Sequence, residues 1–163
     1  MLFEFWNWPP YKVIDVSGVP AVYYWLKDQP QDTVIAEYPL DAGSPNEMYK
    51  FYQTVHEKKM INGTIPGTPA HNFAQAITRL SAPGTAAELM KTGVKYVLVH
   101  RDGYLQTDLV EDTEELKMIP QNKNLRHIKS FSAQDCPDET MCAQKTGPID
   151  VYEVIAPEGG KTK

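Results

Sequence analysis

Apolar residues recur along this chain in two patterns, short β-branched runs and longer stretches with helical spacing. Residues 33–38 (TVIAEY) and 94–100 (VKYVLVH) are β-branched runs bounded by turn-forming residues, which predicts two buried strands. Residues 125–132 and 149–155 alternate or are β-branched, and they predict an antiparallel hairpin with a long connection. A weaker alternation at residues 12–16 predicts a further short strand.

Helical spacing between these strands predicts five helices. Pro20 suits the first position of a helix, and Ser44 with Glu47 three residues later has the pattern of a capping box. An ordered loop is predicted at residues 62–71, and a turn at residues 101–103, because Gly, Pro and polar residues dominate there. The predicted helices cover residues 20–27, 44–61, 72–80, 86–91 and 112–119.

Helices interleaved with strands favour an α/β fold. We expect a three-layer sandwich with a mixed sheet that is parallel in its centre and carries the C-terminal antiparallel hairpin at one edge. A single α/β domain is expected over residues 20–156, with an aromatic-rich lead-in at residues 1–19 and a loose tail at residues 157–163. At 163 residues, such a domain can bury roughly two-thirds of the surface of its unfolded chain.

Charge and hydropathy argue against nucleic-acid binding and against a membrane span within this sequence. The formal net charge is −5 and no basic stripe is present, so no nucleic-acid partner is expected. No run reaches the ~20 apolar residues that span a bilayer, and the N-terminus lacks the basic region of a signal peptide. We therefore expect the chain itself to be soluble.

The aromatic residues at the N-terminus admit two interpretations. Phe3, Phe5 and Tyr11 could form a core strand that covers the sheet. Alternatively, Trp6 and Trp8 could mark the place where the chain leaves a membrane, because indole rings prefer the headgroup layer. Both interpretations stay open, and they can hold together.

The two cysteines, Cys136 and Cys142, enclose a short polar segment. They could close a disulfide, which the chain-entropy model values at about 2 kcal/mol and which implies an oxidising compartment. Two free thiols are the alternative. A metal site is disfavoured because His127 alone lies near in sequence, so we expect no metal and no other cofactor.

Catalytic motifs are approached but not completed. His56 and Glu57 begin a zinc-protease pattern, but Met60 stands where the second histidine is required. Polar residues instead gather at predicted strand ends and in the loop. Because ligands bind at the carboxyl ends of parallel strands, these residues form a candidate ligand-contacting cluster. Its members are Glu37, Asn62, Thr64, His71, His100 and Arg101.

A structural interpretation of the same cluster competes with the functional one. In it, Glu37 and Arg101 form an ion pair, while His71 and His100 cap backbone groups of loops. A carboxylate beside a histidine is too common to indicate one reaction, so no catalytic residue is assigned.

Several motifs occur in a recognisable order: residues 22–26 (VYYWL), 34–40 (VIAEYPL), 49–56 followed by Lys58, 61–63 (ING) and 93–100 (GVKYVLVH). Together they resemble the soluble C-terminal domain that follows the membrane spans in bacterial and archaeal polytopic GT-C-type glycosyltransferases. These are relatives of the dolichyl-phosphate-mannose mannosyltransferases. The resemblance covers about residues 22–104 and also fits the final hairpin.

This resemblance implies an extracytoplasmic domain of a multi-pass protein, with the membrane-embedded part of the same polypeptide as its partner. In such proteins acidic residues of the membrane part carry the transfer, from a lipid-linked sugar. The first hypothesis is therefore a non-catalytic accessory domain that contacts a glycan acceptor. The alternatives are an independent hydrolase or transferase using Glu37, His71 and His100, and a carbohydrate-binding module with aromatic platforms.

Overall fold

The structure is a computed structural model that describes residues 18–40, 44–63, 65–105, 110–136, 142 and 147–156. Helices and strands alternate along most of the described chain, and two short 3-10 helices follow in its last third. None of the described helices is both long and apolar enough to cross a membrane. In chain order the elements are α1 (Ala21–Lys27), β1 (Val34–Tyr38), α2 (Ser44–His56), β2 (Lys59–Met60), α3 (Pro69–Ala76), α4 (Thr85–Lys91), β3 (Val94–His100), α5 (Arg101–Leu105), α6 (Val110–Met118), a 3-10 helix (Ile119–Gln121), β4 (Leu125–Phe131), a second 3-10 helix (Ala133–Asp135) and β5 (Ile149–Val154).

The described strands form one mixed sheet in the order β2-β1-β3-β5-β4. Strand β1 is parallel to both β2 and β3, whereas β5 is antiparallel to both β3 and β4. The predicted C-terminal hairpin is therefore confirmed, with β4 at the sheet edge. The predicted α/β class with a mixed sheet flanked by helices is also confirmed.

Period-two alternation along the strands divides the core into two layers. Ile35 and Leu98 face α1 and α2, where their apolar cluster includes Leu26. Ala36 and Val97 face the opposite side, where they pack with residues of α3, α4 and the first 3-10 helix. Because both faces are covered, most residues of the central strands β1 and β3 are buried, as their near-continuous apolar sequences predict.

The helix predicted over residues 44–61 is too long. Helix α2 ends at His56, and Glu57 follows with a φ of 57°, a left-handed conformation that a helix cannot continue through. Lys59 and Met60 then pair in parallel with β1 and form a strand that the sequence pattern did not predict. Two residues are too few to show an alternation.

Two further predictions require correction. Helix α3 begins at Pro69, inside the predicted loop 62–71, because the Thr68 Oγ1 atom accepts a hydrogen bond from the His71 backbone N–H at 3.3 Å. The predicted turn at residues 101–103 is the helix α5. Its Gly103 lies so close to Pro39 that an added Cβ would be 2.6 Å from the proline Cδ atom, so a residue with no side chain permits this contact.

The predicted strand at residues 12–16, the aromatic lead-in with Phe3, Phe5, Trp6, Trp8 and Tyr11, and the tail at residues 157–163 lie outside the described residues. The same holds for the two segments that flank Cys142.

Candidate functional site

Parallel pairing of β1 and β3 brings two of the predicted site residues together. Glu37 and His100 lie near the carboxyl ends of these strands and on the face that α1 and α2 cover. The His100 Nε2 atom lies 2.7 Å from the Glu37 Oε2 atom. The Tyr23 hydroxyl of α1 donates a second hydrogen bond to the same oxygen, at 2.8 Å. Sequence reasoning had missed Tyr23 as a member, although its motif contains it.

Asn62 holds the backbone of Glu37 rather than its carboxylate. The Asn62 Oδ1 atom accepts from the Glu37 backbone N–H at 2.9 Å, and its Nδ2 atom donates to the Glu37 carbonyl at 2.7 Å. The amide thereby takes the place of a neighbouring strand just after β2 ends. Because both atoms are buried, this pair of bonds satisfies backbone groups that would otherwise cost free energy.

Aromatic rings enclose the carboxylate. The Tyr23 ring stacks on the ring of Tyr52 with centroids 4.4 Å apart, and the Tyr49 ring stacks on His100 at the same distance. The His56 ring also stacks with Tyr23, with centroids 5.7 Å apart. Glu37 is 0% exposed, and 12% of the His100 side chain is accessible. We call Tyr23, Glu37, Asn62 and His100 the Glu37 centre.

Burial around Glu37 favours the neutral forms of the Tyr23 phenol and the His56 imidazole. Burial, followed by the charge of Glu37, raises the pKa of the Tyr23 phenol well above its usual value, so the phenol stays protonated and donates. Burial lowers the pKa of His56, an effect that Glu37 opposes and Lys58 reinforces. The His56 Nδ1 atom accepts from the Lys58 backbone N–H at 3.0 Å, so a neutral ring carries its proton on Nε2.

This geometry gives the Glu37 centre little room for chemistry. A general base must reach a substrate proton within about 3 Å. The Glu37 Oε2 atom already accepts two hydrogen bonds, and its Oε1 atom is buried with no hydrogen-bond partner among the described residues. No part of the carboxylate is open to solvent. The arrangement is that of an internal support for the α1–α2 layer.

The remaining members of the predicted cluster do not join it. Thr64 lies outside the described residues. His71 lies in the first turn of α3, and none of its contacts among the described residues reaches Glu37 or His100. The enzyme hypothesis based on Glu37, His71 and His100 therefore lacks its third group in this geometry.

Arg101 forms a different ion pair from the one predicted. Its Nε and Nη2 atoms donate to the two carboxylate oxygens of Asp150, at 2.7 and 3.0 Å. The predicted pair with Glu37 is wrong because Arg101 follows His100 and projects toward the opposite face of the sheet. The prediction that His100 caps loop backbone is also wrong, since its Nε2 atom pairs with Glu37.

Asp150 is a second buried carboxylate, and sequence reasoning missed it. It lies opposite Ser130 in the β4–β5 register, and the Ser130 hydroxyl donates to its Oδ1 atom at 2.5 Å. The His127 Nε2 atom lies 3.1 Å from that hydroxyl. The available signal was an acidic residue near the start of the β-branched run 149–155, since a carboxylate in a buried strand is unfavourable unless it has a partner.

Glu115 is a third buried carboxylate, and it lies in α6, a helix of mostly charged residues. It accepts hydrogen bonds from the Ser81 backbone N–H at 2.7 Å and from the Ser81 hydroxyl at 2.5 Å. The Arg79 Nε atom lies 3.5 Å away. These contacts anchor α6 to the segment before α4.

Cys136 and Cys142 form a disulfide, with Cα atoms 5.3 Å apart. Cys142 is buried, and both residues pack against the apolar cluster below α1 and α2. The geometry therefore realises the first of the three alternatives that the sequence left open. Among the described residues, no group of three or more His, Cys, Asp or Glu side chains is placed to hold a metal ion.

Trp25 is the tryptophan among the described residues, and its side chain is half-buried. Its ring makes an edge contact with Tyr96 at 5.2 Å between centroids and a tilted contact with Phe131 at 5.9 Å. These contacts hold one part of the ring against the apolar cluster below α1, while Phe51 of α2 is 42% exposed.

Comparisons with known proteins give little direct help. No protein-family model matches the chain, and no curated protein matches it in sequence. Among solved structures, it is similar to the C-terminal globular domain of the oligosaccharyltransferase AfAglB-S2 from Archaeoglobus fulgidus. The identity is 10%, the TM-score is 0.46, and the match covers 82% of this chain and 94% of that chain. Similarity at this level carries no argument about function.

Proposed function

We propose that this chain is a non-catalytic accessory domain on the extracytoplasmic face of a multi-pass membrane protein of the GT-C glycosyltransferase type. The observation that carries the proposal is the burial of Glu37. Residues of the motifs on which the family resemblance rests make contacts inside the protein. Tyr23 and His100 bind the Glu37 carboxylate, and Asn62 binds the backbone of Glu37. We infer that these motif residues serve to maintain the fold.

The disulfide supports the proposed location. Paired cysteines persist in oxidising compartments and are rare in the reducing cytosol of mesophiles. The Cys136–Cys142 pair closes a short loop next to the β4–β5 hairpin, and both cysteines pack against the apolar cluster below α1 and α2. A domain that faces away from the cytoplasm would keep this bond, and that location is the one the family resemblance implies.

In this proposal the membrane-embedded part of the same polypeptide is the partner, and it carries the transfer from a lipid-linked sugar. The domain described here packs on that part and contacts the glycan acceptor. The proposal therefore predicts that the membrane-embedded part can still catalyse the transfer when Glu37 is replaced, because this buried carboxylate does not contact the substrate.

The proposed location can be tested by labelling in intact cells. The complete gene product is expressed with Glu111→Cys, an exposed position in α6, while the native disulfide is kept. A maleimide that does not cross the inner membrane should label this variant equally in intact and lysed cells. The same gene product without Glu111→Cys is the matched control, and its labelling is subtracted, because Cys136 and Cys142 are paired and the signal of interest comes from the added cysteine. Labelling that occurs only after lysis would refute an extracytoplasmic location.

A further inference from the structure

The guanidinium of Arg101 is held in one orientation and still has donors to offer. It binds Asp150 through Nε and Nη2, in the two-bond arrangement that fixes the plane of the group. Asp150 is itself held, since it is buried and accepts a third hydrogen bond from Ser130. An arginine has five N–H donors. Two are used here, so the other three have no partner among the described residues.

These free donors adjoin a small open pocket of about 240 Å³. The Arg101 side chain is 43% exposed, so the guanidinium is accessible from solvent. The pocket has cationic, phenolic and apolar walls supplied by four elements: α5, α6, the first 3-10 helix and β5. Its lining residues are Arg101, Leu116, Lys117, Pro120, Asp150 and Tyr152.

The charges in this pocket favour an anion over a cation. Both oxygens of Asp150 are directed at Arg101, so the carboxylate is committed to the guanidinium. The groups that remain are donors: three guanidinium N–H bonds and the Lys117 ammonium, which pairs with the exposed Glu114 on the same helix. The chain as a whole has a net charge of −5, so a pocket rich in cationic hydrogen-bond donors differs from the overall charge of the protein.

We propose that this pocket binds the carboxylate or phosphate group of a small anionic ligand. Arg101 would bind two of its oxygens with its outer nitrogen atoms, since planar two-bond recognition is what a guanidinium offers to these groups. Lys117 adds a mobile charge, and Leu116 with Pro120 contacts the apolar part. The pocket of about 240 Å³ is open to solvent on one side, so a ligand could place its anionic group against Arg101 while the rest extends outward.

This inference stands independently of the proposed membrane location. If the domain does contact a glycan, the site assigns it an acidic one, either a uronic acid or a sugar phosphate. Titration of the ¹⁵N-labelled 163-residue chain with glucuronate, glucose 6-phosphate and neutral glucose separates these ligands. Saturable shifts at Arg101 and Lys117 with either anion, and none with glucose, are expected. The anion that binds more tightly identifies the source of the charge.

Variants test the assigned residues. Arg101→Lys keeps a charge opposite Asp150 but loses the planar fork, and it should weaken anion binding by about tenfold. Lys117→Gln should weaken it by about threefold, because an exposed charge at the rim contributes less. Arg126→Gln is the matched control, since Arg126 also pairs with a carboxylate, Glu153, on the neighbouring strands. It should leave binding unchanged.

Two outcomes would overturn the site. One is a titration in which glucose and the two anions give the same unsaturable shifts. The other is equal weakening by Arg101→Lys and Arg126→Gln, which would show attraction to surface charge alone. The ¹⁵N spectrum of each variant reports in the same experiment that the protein is folded.

Discussion

Glu37 shows how a carboxylate is kept inside this protein. Transfer of a charge from water into a core costs several kcal/mol unless donors replace the lost water. Here a histidine at 2.7 Å and a tyrosine hydroxyl at 2.8 Å bind one oxygen. Such a pair adds little net stability compared with an apolar core, but loss of one partner is costly because the other stays buried.

Burial of His56, at the end of α2, makes the free energy of unfolding depend on pH. Burial lowers its pKa in the folded state, so the unfolded chain takes up a proton first as the pH falls. Above the unfolded value of about 6.5 the ring is neutral in both states and its contribution to stability is complete. Below that pH the free energy of unfolding should decrease until the folded ring is also protonated.

The variant His56→Asn tests this dependence. Its Oδ1 atom can accept from the Lys58 backbone N–H as Nδ1 does, and it cannot titrate. Urea unfolding at pH 7, 6 and 5 should show a flatter decrease for the variant than for the wild type. Parallel slopes for wild type and His56→Asn would exclude the assigned role.

At the level of elements, the sequence predicted what depends on local pattern. The β-branched run 94–100 coincides with β3, and the alternating runs became the hairpin β4–β5. The elements that were missed depend on tertiary contacts. Strand β2 has two residues and exists through pairing with β1, and α5 forms where Gly103 meets Pro39. Local propensity does not contain these contacts.

The candidate site was predictable to a similar extent. Parallel neighbouring strands were expected to bring Glu37 and His100 together, and they do. The partner of Arg101 was not predictable, because it required knowing that β5 inserts beside β3 and presents Asp150 on the opposite face. Spacing along the chain does not give the order of strands in a sheet.

The contact between α5 and Pro39 gives a prediction for this element. In Gly103→Ala the new Cβ would lie 2.6 and 2.9 Å from the Cδ and Cγ atoms of Pro39, so the helix must shift. Overpacking of this kind should reduce the free energy of unfolding by about 1–3 kcal/mol. The matched control is Gly63→Ala, where an added Cβ meets no atom within 4 Å. Urea unfolding that shows equal stability for the two variants would contradict the packing.

At the scale of the whole molecule, the disulfide links the far end of the hairpin to the core beside α1. Replacing both Cys136 and Cys142 with Ser should lower the free energy of unfolding by about 2 kcal/mol, because the unfolded chain gains freedom. Reduction of the wild-type chain should reproduce the loss. If neither the double variant nor the reductant changes the urea midpoint, the cross-link does not stabilise this domain.

We propose that the Glu37 centre has a structural role, in which its hydrogen bonds support the fold. The most direct measurement is the free energy of unfolding of Glu37→Gln, which preserves shape and removes the charge beside His100. We expect a decrease of about 2 kcal/mol, the usual cost of losing a hydrogen bond to a charged group. Glu114→Gln, at an exposed carboxylate paired with Lys117, is the control and should change little. Replacement of a catalytic carboxylate commonly leaves stability unchanged or raises it. An equal or higher free energy of unfolding for Glu37→Gln would therefore contradict this account.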